Sequence, residues 1–127
     1  MADRFFPYDL DVRFQWIWWP LGVREGDGVT ITADRRFVAT YGRWRVDTPL
    51  SNIESWQVSG PYLWFKAVGV RGSQVDSGIT FGTTPRGGVC VLFRERIPQV
   101  LPPRFGHAGL TVTVKDREGL VAALSGS

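Results

Sequence analysis

The chain holds one thiol, Cys90, and one imidazole, His107, so a cysteine–histidine dyad would have to use this one pair. Their surroundings argue otherwise. Cys90 sits in the apolar run VCVLF, the setting of an inert buried thiol. His107 stands between Gly106 and Ala108 in a connecting segment, where a solvated or hydrogen-bonded imidazole is expected. A zinc site needs several cysteine or histidine ligands at short spacing, and the sequence supplies no such set. The glycine-rich stretch GTTPRGGV, Gly82 to Val89, suggests a phosphate cradle. A P-loop, however, continues with Lys-Ser/Thr and a helix, whereas Gly88 here leads into a β run. The expectation is a hairpin, with an anion nest of backbone amides and Arg86 as the alternative. No serine lies in a G-x-S-x-G elbow, and no dinucleotide-binding helix follows Gly69 or Gly72. Asp47, Asp76 and Glu95 are expected to be solvated carboxylates, since spacing alone does not bring them together. These residues predict a non-catalytic protein with no cofactor and no metal.

The aromatic residues are the more informative set. Six tryptophans occur, three of them within RFQWIWWP. Alternation places Val12, Phe14, Trp16 and Trp18 on one face of a strand that Pro20 ends, and Arg13, Gln15, Ile17 and Trp19 on the other. Trp16, Trp18, Trp44 and Trp56 then read as core, and Trp19 with Ile17 as the surplus. Tyr62, Leu63, Trp64 and Phe65 follow one another, so half of them must point away from any core. Trp19, Ile17 and a pair such as Tyr62 and Trp64 are therefore the candidate contact surface. Cover by the N-terminal strand or by a long connection is the alternative.

The elements that would position these side chains are mostly strands, because two-residue alternation recurs and helical periodicity is confined to the end. Val29 and Ile31 mark one strand. RFVATYGRWRVDTP reads as a hairpin with a two-residue II′ turn at Gly42-Arg43, pairing Tyr41 with Trp44 and Ala39 with Val46 on the apolar face. Thr40 then opposes Arg45, and Val38 opposes Asp47, on the outer face. PLSNIES is irregular, WQVSG a strand, and Gly60-Pro61 a turn into YLWFKAVGV. SQVDSGITFG and GVCVLF follow as strands, and RERIPQVLPPRFGHAG reads as a long surface connection. Leu110, Val112 and Val114 alternate on a last strand. Asp116 then caps a helix whose apolar stripe is Leu120, Val121 and Leu124. Gly119 weakens that helix by about 1 kcal/mol relative to alanine.

At 127 residues one domain is expected, with residues 1–20 as an N-terminal strand extension and a conventional core. The single cysteine and the start MADRFFPYDLD, acidic where a secretory signal is basic, predict a reducing, cytoplasmic setting. The apolar run from Phe14 to Val23 is about half a membrane span, so any membrane contact would be peripheral, at the inner face. The net charge of +3 comes from thirteen arginines and only two lysines. That excess is too small and scattered to predict nucleic-acid binding.

The order of strands from Val29 onward, ending in TVTVKDREGLVAAL, resembles the bacterial pleckstrin-homology-like domains. That resemblance implies a small, antiparallel, partly open β-barrel with one C-terminal helix. The segments PLSNI, GPYLWFKAVGV, DSGITFGTTPRGGVCVLF and LTVTVKDREGLVAAL are also similar to a group of small uncharacterised actinobacterial proteins, over nearly the whole chain. In eukaryotic members of the wider fold, a lysine followed by a basic-x-basic triplet on the first hairpin binds phosphoinositides. Arg36 and the triplet Arg43-Trp44-Arg45 are similar in form, without the leading lysine. Other members of the fold bind proteins or peptides.

Three functions follow as expectations. The first is a non-catalytic binding or scaffolding module whose aromatic patch engages another protein or a second copy. The second is a small-molecule or lipid-binding barrel with Trp16, Trp18 and Trp44 around a cavity. The third is peripheral attachment to anionic membrane through Arg36, Arg43, Arg45 and Trp19.

Overall fold

The computed structural model describes residues 3–61, 69–72, 78–97 and 107–125. Among them nine strands form two sheets. The first sheet is a meander of β1 (Arg4–Pro7), β2 (Gly28–Ile31), β3 (Arg36–Tyr41) and β4 (Trp44–Pro49), in that order. The second contains β5 (Ile53–Ser59), β6 (Gly69–Gly72), β7 (Ile79–Gly82), β8 (Gly88–Ile97) and β9 (His107–Val112), in the order β5-β8-β9-β7-β6. Pairing is antiparallel except between β7 and β9, which run parallel. The protein is thus mainly β, with open sheets and a C-terminal helix α2 (Arg117–Ser125) packed on β5 and β8. A short helix α1 (Gln15–Trp18) follows a single 3-10 turn at Val12–Phe14.

The β3–β4 hairpin has the register that side-chain alternation predicts, with Tyr41 opposite Trp44, Ala39 opposite Val46, Thr40 opposite Arg45 and Val38 opposite Asp47. Phe37, Ala39, Tyr41 and Val46 are buried as a consequence. Gly42 turns the chain with φ of +56°. A Cβ there would run into the Leu21 carbonyl oxygen, so backbone conformation and space both require glycine. Gly42→Ala should lose about 2 kcal/mol in urea denaturation, with the slope of the transition unchanged.

Between the sheets, the ring of Tyr41 stacks on Phe81 with centroids 5.3 Å apart and meets Tyr8 edge-on at 5.6 Å. The Tyr41 hydroxyl donates to the Gly82 carbonyl at 2.6 Å, tying the first sheet to the second. The Tyr8 hydroxyl, equally buried, finds no hydrogen-bond partner among the described residues, and burial pushes its pKa well up. Two conservative changes should therefore differ in sign. Tyr41→Phe should cost about 1 kcal/mol, because it strands a buried carbonyl, while Tyr8→Phe should be neutral or stabilising by a similar amount. Thermal denaturation of the pair would read this contrast.

An isolated bridge between Tyr8 and Val114 joins the sheets at the N-terminal side. Backbone bonds from Asp9 N to Thr113 O and from Lys115 N to Pro7 O, both 2.9 Å, extend it. At the C-terminal side, the Asp116 carboxylate accepts from the Gly119 amide at 2.9 Å, capping α2 as its chemistry predicts. Leu120 and Leu124 are buried, with Val121 packed beside them.

Three expectations change. The GTTPRGGV loop is not a hairpin, because β9 lies between β7 and β8. The loop instead crosses the end of β9, where the Thr83 amide donates to the Thr113 hydroxyl at 2.8 Å and the Thr83 hydroxyl to the Asp9 carbonyl at 2.6 Å. These bonds hold the start of the loop against Thr113 and Asp9. β8 continues through Arg94-Glu95-Arg96 to Ile97, past the expected end at Phe93, because the buried Ile97 pairs with His107. His107 accordingly lies buried in β9 and not in a connection. The segment Tyr62 to Phe65 and the proline-rich stretch 98–106 lie outside the described residues.

Candidate binding surface

Helix rather than strand is the structure of RFQWIWWP, and Asp11 is the cause. Its carboxylate accepts from the Arg13 backbone amide at 3.1 Å, which caps the first turn. The Arg13 guanidinium closes on the same carboxylate at 3.0 and 2.8 Å. The Thr84 hydroxyl donates to it at 2.9 Å, and Arg86 stands 3.7 Å away while also pairing with Asp9 at 3.0 Å. The Asp11 side chain is 1% exposed. The hydrogen bonds from Arg13 are the main reason its pKa falls to about 2; burial opposes the shift, and Thr84, the Arg13 amide and Arg86 add to it.

Once helical, the segment sorts its apolar residues at a different period. Phe14, Trp18 and Leu21, spaced i, i+4 and i+7, pack onto the core. Trp18 is fully enclosed and its indole N–H donates to the Asp11 carbonyl at 3.0 Å. Val12, Trp16 and Trp19, with the same spacing, face outward and are 76%, 65% and 48% exposed. The expectation of Val12 and Trp16 as core residues is thereby overturned, since a strand period places on one face what a helix divides between two.

Trp19 is held in place. The Arg24 guanidinium lies 3.4 Å from its ring centroid, and the same group donates to the carbonyls of Trp19 at 3.0 Å and Val23 at 2.7 Å. Arg24 thus fixes the indole from one side by cation–π contact and hydrogen bonding. Beside it, Leu10, Val12, Gln15, Trp18 and Trp19 line an open depression of about 580 Å³. Ile17 is half-buried, a lesser part of this surface.

The structure disperses the other predicted site residues. Arg36 and Arg45 both turn to Asp47, at 2.7 and 3.4 Å. Arg43 is exposed at the opposite end of the same hairpin. Two of the three arginines expected to meet lipid phosphate are therefore already ion-paired within the hairpin. Arg86 belongs to the Asp9–Asp11 clamp and not to an anion nest. Tyr62 and Trp64 lie outside the described residues. Of the tryptophans expected around a cavity, Trp16 is outside, Trp18 is bonded to Asp11, and Trp44 packs near Tyr41 at 6.4 Å between centroids. Cys90 is half-buried on the outer side of β8, not enclosed.

Val12, Trp16 and Arg24 were not legible as site residues from alternation. The signal for the first two was the spacing Val12-Trp16-Trp19 after a capping aspartate, while Arg24 enters only through its three-dimensional contact with Trp19. Among the described residues no helix is long and apolar enough to cross a membrane. The chain matches no family model, no curated protein and no solved structure.

Proposed function

We propose that this protein is a non-catalytic binding module that works by protein–protein contact through Val12, Trp16 and Trp19, and that a second copy of the chain is the occupant. The carrying observation is a tryptophan 65% exposed at the centre of an apolar stripe on a clamped helical turn. Burying a side chain of that size is worth about 1.5–3 kcal/mol, and tryptophan is a preferred anchor of interfaces. Arg24 reduces the entropy cost of docking by holding Trp19 beforehand.

The rim favours a second copy. Arg13 is balanced by Asp11, and Arg24 is followed by Glu25 and Asp27, the latter accepting from the Arg24 amide at 2.8 Å. Two such rims of mixed sign meet without like-charge repulsion. An anionic bilayer calls for a net basic rim, which this surface lacks. The meander sheet, the second sheet and the capped C-terminal helix support a pleckstrin-homology-like setting for the module, with the parallel β7–β9 pair as its own departure. The free thiol of Cys90 suits a cytoplasmic location.

Indole N–H resonances test this residue by residue. On dilution, the Trp16 and Trp19 signals should move together with one dissociation constant, while Trp18, bonded to Asp11, stays in place. Signals of Trp16 and Trp19 that do not change with concentration, but shift on adding anionic vesicles, would overturn the reading in favour of a membrane.

A further inference from the structure

A second site lies away from the tryptophan stripe. An open groove of about 460 Å³ runs between the C-terminal part of α2 and the start of β5, lined by Arg35, Leu50, Ile53, Glu54, Trp56 and Arg94. The volume falls in the range of small-molecule pockets. Its floor is apolar: Leu50, Ile53 and Leu124 are buried, and Trp56 is half-buried at the wall.

What marks this groove is that it brings two arginines without an acidic partner among the described residues to one cavity. Arg13, Arg36, Arg45 and Arg86 are ion-paired, and Arg4 and Arg24 lie over aromatic rings. Among the described residues neither Arg35 nor Arg94 has an acidic partner within ion-pair distance. Both are nevertheless held by the backbone around them. Arg35 occupies the left-handed region with φ of +65°, uncommon for a residue other than glycine, asparagine or aspartate. Its amide donates to the Thr32 carbonyl, and its carbonyl accepts from the Leu50 amide, each at 3.0 Å. Arg94 spends its Nε–H on the Ser51 carbonyl at 3.1 Å, which orients the guanidinium and leaves its two terminal nitrogens for a ligand. Asn52 fixes the spacing of these pieces by exchanging hydrogen bonds of 2.9 and 3.0 Å with the Glu95 backbone.

We infer that this groove binds a small amphipathic organic anion. Its carboxylate or phosphate is taken by Arg35 and Arg94, and its flat apolar body lies along Leu50, Ile53 and the Trp56 ring. Guanidinium groups match such oxyanions in planar geometry, and with Glu54 also in the lining the three charged side chains remain net positive. This site is independent of the tryptophan stripe, so either can fail without the other.

Calorimetric titration with naphthalene-2-carboxylate, 1-naphthyl phosphate, neutral naphthalene-2-carboxamide and inorganic phosphate tests it on the intact chain. Both aryl anions should bind with dissociation constants below about 1 mM. The carboxamide and inorganic phosphate should each bind at least about tenfold more weakly, one lacking the charge and the other the apolar body. Arg35→Gln and Arg94→Gln should each weaken the aryl anions about tenfold or more, while Arg43→Gln and Trp16→Ser leave them unchanged. Circular dichroism checks that the variants are folded. Absence of saturable binding, affinity that survives both arginine substitutions, or equal affinity for the carboxamide would overturn the inference.

Discussion

Replacing Asp11 by alanine is expected to destabilise the protein by about 2–4 kcal/mol and to disorder the helical turn that carries the tryptophans. Several losses combine. The N-terminal cap of the first turn disappears, at about 1 kcal/mol. The buried Thr84 hydroxyl loses its acceptor, and Arg13 and Arg86 lose their shared carboxylate. The ionic part has its own pH signature. The folded-state pKa of Asp11, about 2, lies below the ordinary 3.8, so the carboxylate stabilises the fold fully above the ordinary value. That stabilisation is lost as pH falls through 3.8 toward 2. The shift corresponds to about 2 kcal/mol, reduced toward 1 because the arginine partners are half-exposed to solvent. Asp11→Asn keeps the shape and one acceptor. It should therefore be less stable than wild type at neutral pH by about that amount and become equal to it only below the folded-state value of about 2. Urea denaturation across this range checks both statements, and a constant difference between the two proteins at all pH values would contradict them.

Loss of self-association is the second large effect. Trp16→Ser together with Trp19→Ser should weaken the dimer at least about 100-fold, equivalent to about 3 kcal/mol, while leaving the fold intact. The substitutions remove side chains that are exposed in the single chain, so they vacate no core space. Trp18→Ser, at a position between the two, should instead unfold the N-terminal segment, because that indole is enclosed and bonded to Asp11. The three positions thus separate association from folding within four residues of chain. Trp56→Phe, in the other groove, should leave the dimer untouched.

Alternation read the β3–β4 hairpin to the residue because each strand has one buried face, so a shift of one residue would turn Tyr41 and Ala39 outward. The capped helix α2 was legible for a similar reason: Asp116 and the Leu120–Leu124 spacing point the same way. RFQWIWWP misled because it is apolar at almost every position, and a continuous apolar run fits both a strand and a helix. What decides between them is Asp11, whose partners Thr84 and Arg86 lie far along the chain and meet it only in three dimensions. The GTTPRGGV loop misled for a different reason. Sequential strands usually pair, and here β9 intervenes between β7 and β8. The arginine groove was hidden because it combines residues from four separate segments, one of which depends on the left-handed backbone of Arg35. Paired and unpaired arginines look alike in a sequence, so nothing there separates Arg36 and Arg45, which pair with Asp47, from Arg35 and Arg94, which line the groove.

The most direct test of the binding-module account is sedimentation equilibrium of the wild-type protein beside the Trp16→Ser, Trp19→Ser double variant, at matched concentrations from about 1 μM to 500 μM, a range that brackets a micromolar constant. The account predicts a wild-type mass that rises from one chain to two across the range, and a folded variant that stays at one chain throughout. A wild-type protein that remains a single chain at the highest concentration, or a variant that dimerises as well as wild type, would contradict it.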